Sequence, residues 1–337
     1  MRPAPSTRDP SPVNDSEPES EQQPRFGTAR RVSVVLPVRN GADTITRQLD
    51  ALAAQTYAGQ WQIVIADNGS TDGTAAVVTS WGESRAEHPG GRRPDLLVVD
   101  ASARPGVGPA RNVGTRAASG DVILYCDADD RCSPDWVSCM VAALADRPIV
   151  GGPCSVEAPD GTVYPAPTEL HRTLGIVPFA IGGNFGVWRQ VFDRVGGFED
   201  EHPAAKAEDA EFCIRAWEFG YEAGFAPGAL MIKARRQDLA STYRQWHGYG
   251  MGTMFNVCRY RDRGLPRRLL AQEVRVVGWM IVHIVRIRTP DGRHRWLRWG
   301  AGRIGWIEGY LRFHRLPVAP RPPDARPMAS APAARPS

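Results

Sequence analysis

Between Arg31 and Cys126 four short apolar runs alternate with three segments of helical periodicity, and few folds accommodate that rhythm. The first run, Arg31-Val-Ser-Val-Val-Leu-Pro37, is β-branched and apolar on both faces, which suits a strand buried inside a parallel sheet. Ile45, Leu49, Leu52 and Ala53 then recur at three- and four-residue steps, predicting a helix with Asp43 as its N-cap. Gln62-Ile-Val-Ile-Ala66 predicts a second strand, Ala75 to Trp81 a second helix and Leu96 to Asp100 a third strand. A helix over Pro109 to Ala118 and a strand over Val122 to Cys126 complete the series. This alternation predicts an α/β, doubly wound, mostly parallel sheet whose ligand crevice lies at the carboxyl ends of its strands.

The ordered chain is expected to run from about residue 29 to 316. Residues 1–28 and 317–337 are Pro/Ala/Ser/Arg-rich without periodicity and read as disordered tails. The N-terminal stretch lacks the apolar segment of a signal peptide, so secretion is not expected. The most apolar window, Val276 to Val285, is far shorter than the ~20 residues a membrane-crossing helix needs. Six cysteines without a CxxC pair or zinc spacing read as reduced, mostly buried thiols of a cytoplasmic protein.

Polar clusters fall at the predicted strand ends. Asp127-Ala-Asp-Asp130 follows the fourth strand, and carboxylates at i and i+2 there can hold one hard cation while it grips phosphate oxygens. The same residues also suit a turn before a helix N-cap at Ser133-Pro134; the strand-end position favours the metal. Asp67-Asn-Gly-Ser-Thr-Asp-Gly73 reads either as a turn with a cap or as a set of groups for a nucleobase edge. Pro105-Gly-Val-Gly108 begins like a dinucleotide fingerprint, but Arg111 occupies the place of the third glycine, so a Rossmann assignment is rejected. Arg111 and Asn112 instead face a phosphate or order the crevice. Glu208-Asp209 opens an amphipathic helix and serves either as dipole-complementing caps or as a general base. The helix dipole is expected to lower the Asp209 pKa. Gly182-Gly183-Asn184 is either a plain turn or a place where backbone approaches a ligand.

Taken in order, these pieces resemble the inverting family 2 glycosyltransferases over about Val32 to Gly224. The match rests on Val34-Val-Leu-Pro37-Val-Arg39-Asn40, Asp67-Asn-Gly-Ser-Thr-Asp-Gly-Thr74, Ala110-Arg-Asn-Val-Gly114, Asp127-Ala-Asp-Asp130, Gly182-Gly-Asn184 with Gly196-Gly-Phe198, and Glu208-Asp209 with Arg215. The resemblance implies a GT-A-type nucleotide-diphospho-sugar transferase fold over residues 29–235, with a mostly parallel sheet and a helical C-terminal extension. It further implies that Pro37, Asp67 and Asn68 line the nucleoside pocket, with Arg39, Arg111, Asn112, Gly183, Asn184 and Glu208 around the substrates. Asp127 and Asp129 would hold Mg²⁺ or Mn²⁺ on the diphosphate, and Asp209 would deprotonate the acceptor hydroxyl. The implied donor is a nucleotide sugar, a UDP-sugar first, and the acceptor a glycan or lipid-linked hydroxyl of the cell envelope. Many relatives carry His where this chain has Ile232-Lys-Ala-Arg-Arg236, which implies cationic phosphate contacts there. The Gln-x-x-Arg-Trp signature of processive synthases is absent, so one sugar per encounter is expected.

Residues 236–316 read as a basic, Trp/Arg-rich helical region. Met231 to Arg315 holds 18 Lys/Arg against 5 Asp/Glu, a net +13 inside a chain whose total is +4. Two readings stay open: helices packed on the catalytic domain, or a peripheral docking face for the anionic inner surface of the cell membrane. A nucleic-acid partner is not expected, because the crevice is acidic and no binding module is recognised. Two further functions stand beside the main one, a nucleotidyltransferase on a related sheet and an inactive membrane-associated scaffold.

Overall fold

The computed structural model describes residues 26–84, 94–158, 160–200, 206–234, 238–263, 278, 280–282, 284–323 and 325. The expected alternation is present as β1 Arg31–Val38, α1 Ile45–Ala53, β2 Gln60–Asp67, α2 Thr74–Ser84, β3 Asp95–Asp100, α3 Val107–Ala117 and β4 Val122–Cys126. Asp43 is not the cap of α1; Thr44 holds that position, and the Gly41 carbonyl accepts from the amides of Thr44 and Ile45 at 3.0 and 2.9 Å. A backbone turn thus satisfies the helix start where an Asp side chain was expected.

The remainder comprises β5 Asp130–Cys132, α4 Trp136–Leu144, β6 Ile149–Gly151, β7 Cys154–Glu157, β8 His171–Thr173, β9 Val177–Phe179, β10 Asn184–Trp188, α5 Arg189–Val195, α6 Glu208–Glu218, β11 Ala223–Phe225, β12 Met231–Ala234, α7 Leu239–Arg259 and α8 Pro290–Phe313. The main sheet has seven strands in the order β11-β6-β10-β4-β1-β2-β3. It is parallel at β4-β1-β2-β3 and at β11-β6, while β10 runs antiparallel to both its neighbours. Central strands must be apolar on both faces, and every residue of β4 and β10 is buried. β3 lies at the edge and leaves Leu97 and Val98 exposed.

Two consequences of this topology position the site. Because β10 is antiparallel and Asn184 pairs with Cys126, Gly182 and Gly183 arrive at the carboxyl end of β4. A second sheet, β5-β12-β7, pairs Lys233 with Asp130 and brings β12 to the same edge. Beneath α6 an aromatic cluster fixes the helix: Phe212 lies 5.6 Å from Phe185 and 5.1 Å from Phe198, centroid to centroid. Such pairs contribute roughly 0.5–1.5 kcal/mol each beyond burial.

Among its described residues the basic region is mainly helical, as expected, and α7 is fixed to α6. Tyr260 Oη donates to Glu211 Oε1 at 2.6 Å, and Arg263 Nε to Glu218 Oε1 at 2.7 Å. The expected boundary at 235/236 falls outside the described residues, as do Arg235, Arg236, Val276, Val277 and Trp279. Phe26, inside the expected N-terminal tail, stacks on Trp188 at 5.8 Å, and Ala319, inside the expected C-terminal tail, is buried. All six cysteines are free thiols, four of them buried. Among the described residues, no helix is long and apolar enough to cross a membrane.

Candidate active site

Asp127 leaves β4 at its carboxyl end, and its two oxygens meet two cations from different elements. Arg111 Nη2, from α3, donates to Oδ1 at 3.1 Å, and Lys233 Nζ, from β12, donates to Oδ2 at 3.1 Å. Lys233 also reaches Asp130 Oδ2 at 2.6 Å. Burial acts to raise the Asp127 carboxyl, but Lys233 and then Arg111 outweigh it and hold it well below the usual carboxylate range. Asp130 lies deeper, and burial pushes it up to about 7 against the pull of Lys233, with Asp127 and Asp129 adding to the rise. Carboxylate oxygens of Asp127, Asp129 and Asp130 lie within 4.8 Å of one another. Hard oxygen donors at this spacing suit Mg²⁺ or Mn²⁺, with the exposed Asp129 as the accessible member.

Arg111 is only 2% exposed and reaches no open solvent. Its Nη1 donates to Glu208 Oε1 at 2.7 Å, so one guanidinium joins the end of β4 to the start of α6. Of the two uses the sequence leaves open for Arg111, ordering the crevice is the one its burial allows. A Cβ on Gly182 would strike this guanidinium, and one on Gly183 would strike the Asp127 carboxylate. A side chain at either position would have to displace one of these groups, which is more than a plain turn demands.

Asp209 stands at the second position of α6, where its Oδ2 accepts from the Gly182 amide at 2.7 Å. The preceding Ala207 adopts φ 66°, in the left-handed region, to turn the chain into the helix. The expected lowering of the Asp209 pKa is not found. Burial first and Glu208 second push it up to about 6, against the Gly182 amide and Arg111, so the carboxylate is a stronger base than a surface aspartate.

The three asparagines bond to other parts of the protein. Asn184 has no exposed surface; its Oδ1 accepts from Trp136 Nε1 at 2.7 Å, and its Nδ2 donates to the carbonyls of Pro153 and Ala229 at 3.0 and 2.9 Å. Asn112 donates to the Phe198 carbonyl at 2.8 Å and Asp200 Oδ1 at 2.6 Å, and accepts from the Phe198 amide at 2.9 Å. Asn68 donates to the carbonyls of Ala101 and Arg104 at 2.5 and 2.8 Å and accepts from the Gly106 amide at 2.9 Å. Each spends its amide on protein groups, mostly backbone, and holds the segments around the cleft. Asp72 similarly ties the loop after β2 to the Ala42 amide at 3.0 Å. Pro37 and Asp67 are half-buried at the ends of β1 and β2, and Arg39 is exposed.

Sequence reading missed two contributors. Lys206, just before α6, sits 5.8 Å from the Tyr249 ring of α7, and burial with the carboxylates of Asp209 and Asp127 raises the Tyr249 phenol to about 12 against Lys233. Helix α7 thus borders the acidic cleft, a placement no local pattern encodes.

A twisted sheet with acids and a fixed carboxylate at its strand ends defines a protein of the GT-A class. The chain belongs to glycosyl transferase family 2: the family model described as glycosyl transferase family group 2 matches residues 122–319, and that described as glycosyl transferase family 2 matches residues 33–196. The mannosyltransferase PcManGT from Pyrobaculum calidifontis, solved with GDP-Man and Mn²⁺, shares the fold at TM-score 0.58 and 19% identity, over 86% of this chain and 89% of its own. Succinoglycan biosynthesis protein ExoA of Rhizobium meliloti is 26% identical over 85% of this chain and 88% of its own length. Glycosyltransferase AglE of Haloferax volcanii is 27% identical over 58% of this chain. The chain spans 64% of the length of AglE and 57% of that of the probable glycosyltransferase YdaM of Bacillus subtilis.

Proposed function

We propose that this chain transfers one sugar from a nucleotide-sugar donor to a hydroxyl acceptor, with inversion at the anomeric carbon and with a divalent cation. The observation that carries the reading is the placement of Asp209, a carboxylate of raised basicity, across a glycine-lined gap from the Asp127/Asp129 pair. Asp127 and Asp129 would hold Mg²⁺ or Mn²⁺, which offsets charge developing on the departing nucleoside diphosphate. Asp209 takes the acceptor proton as the acceptor oxygen attacks the anomeric carbon in line with the leaving phosphate. A single displacement inverts the centre and needs no covalent intermediate. Arg111 keeps Asp127 and the Glu208 end of α6 at a fixed separation, so donor and base stay in register. Pro37, Arg39 and Asp67 at the ends of β1 and β2 are the side chains for the nucleoside, with a uridine nucleotide first and a guanosine nucleotide second.

The acceptor is proposed to be lipid-linked or a glycan of the cell envelope, presented at an anionic membrane surface. Support comes from the outer face of α8, where Ile304, Ile307 and Leu311 are exposed at three- and four-residue steps beside exposed Arg312 and Arg315. Ile281, Val282, Ile284 and Val285 are exposed nearby, and Trp296 Nε1 donates to the Met280 carbonyl at 3.2 Å, which folds that segment against α8. The donor reading is tested by thermal shift with UDP, GDP and their common sugars, with and without Mn²⁺. A rise in melting temperature with one nucleotide family in Mn²⁺ supports it. No shift with any of them, under either condition, overturns it.

A further inference from the structure

Lys233 is carried into the acidic cluster by sheet register, pairing with Asp130 across β12 and β5. Its Nζ lies 2.6 Å from Asp130 Oδ2 and 3.1 Å from Asp127 Oδ2. An ammonium has three N–H donors, so two serve these carboxylates and one remains. The third is not sealed in, for the Lys233 side chain keeps 25% of its surface exposed. The cleft wall beside it is the backbone of Gly183, where a Cβ would lie 2.6 Å from Nζ. With Arg111 on Asp127 Oδ1, both oxygens of the leading carboxylate already face protein cations. Among the described residues no ion pair reaches Asp129.

Asp127, Asp129, Asp130 and Glu208 face Arg111 and Lys233, with Lys206 acting on Asp127 from further off, so among the described residues the acids outnumber the cations and the cluster still attracts a divalent ion, though less than bare carboxylates would. Part of the neutralisation is in place before any ligand arrives. We propose that Lys233 is a resident cation of the diphosphate site. It shields Asp127 and Asp130 in the free protein and donates to a phosphate oxygen of the bound nucleoside diphosphate. The chain therefore binds a nucleoside diphosphate without a divalent ion, and binds the ion alone more weakly than the same carboxylates would without the lysine. This inference rests on the glycosyltransferase reading.

The test is calorimetric titration of UDP and of GDP into the full chain, in EDTA and in Mn²⁺, together with Mn²⁺ binding followed by electron paramagnetic resonance without nucleotide. Lys233→Met removes the charge at similar volume, and Lys233→Arg keeps it. The wild type is expected to bind one nucleotide in EDTA, and Lys233→Met to weaken that binding roughly tenfold or more, the scale of a charge-assisted hydrogen bond. Lys233→Arg retains most of it. Mn²⁺ alone binds Lys233→Met roughly tenfold more tightly, since the competing charge is gone. If Lys233→Met unfolds, pairing it with Asp130→Asn removes a cation and an anion together, and the same loss of metal-free nucleotide binding is expected. Nucleotide binding by the wild type only in Mn²⁺, or a lysine-free variant with unchanged metal-free affinity, overturns the inference. Absence of nucleotide binding under every condition instead overturns the glycosyltransferase reading beneath it.

Discussion

At Asp209, position raises the basicity of an ordinary aspartate, through burial and the neighbouring Glu208. Near pH 7 it is mostly ionised, and with its folded value raised to about 6 the proposed transfer should be present above that pH and lost as pH falls through it. The rate of transfer should fall about tenfold per pH unit below 6, as a pH profile of kcat/KM will show. Asp209→Asn should lower kcat by roughly 10²–10⁴ while the circular dichroism spectrum stays that of the wild type. A variant of unchanged rate would remove Asp209 from the chemistry. Asn184 acts instead through structure: Asn184→Ala strips partners from Trp136, Pro153 and Ala229 and should cost about 2–4 kcal/mol in denaturant unfolding. The acids of the site were legible in the sequence because carboxylates at strand ends and helix starts have no place in a core. The asparagines were not, since the same amide that reads a ligand also satisfies buried carbonyls, and only the packed structure tells which. Lys233 was legible only as a cation after the last strand; its partners follow from pairing in the second sheet.

At the scale of elements, the first four strands declare themselves because each is long enough for its apolar run to register. Strands β5, β6, β8, β9 and β11 have three residues each, too few to show a period of two, and their pairing is tertiary. The antiparallel course of β10 belongs with them, although it delivers Gly182 and Gly183 to the site. Helices α7 and α8 were predicted as helical, but not how closely they meet. A Cβ on Gly250 would strike the Gly302 carbonyl oxygen and lie 3.0 Å from its carbon and from the Trp306 amide, and one on Gly305 would strike the His247 carbonyl. These are backbone contacts that cannot rotate away. Gly250→Ala should therefore destabilise by about 1–3 kcal/mol, read as a lowered melting temperature, with nucleotide affinity little changed. A variant as stable as the wild type would mean that the helices separate freely.

Along the chain, positive charge is concentrated toward the C-terminal part. The +13 of Met231 to Arg315 includes Lys233 of β12, which faces Asp127 and Asp130 in the cleft, so not all of that charge lies on the C-terminal helices. The outer side of the basic region, with Val282 74% and Leu311 68% exposed beside Arg288, Arg293 and Arg312, should bind vesicles containing phosphatidylglycerol but not neutral ones. Ile307→Asp with Leu311→Asp should abolish co-sedimentation, and salt should weaken it. Equal binding to neutral vesicles, or none to anionic ones, would contradict the membrane role.

The central claim is that sugar is moved from a nucleotide donor by the cleft at the ends of β1, β2 and β4. Product analysis with a panel of sugar nucleotides and Mn²⁺ tests it most directly. The predicted result is release of nucleoside diphosphate from one donor, lost in Asp129→Ala and in Asp209→Asn. Release of pyrophosphate, or of no product with any donor, would contradict it.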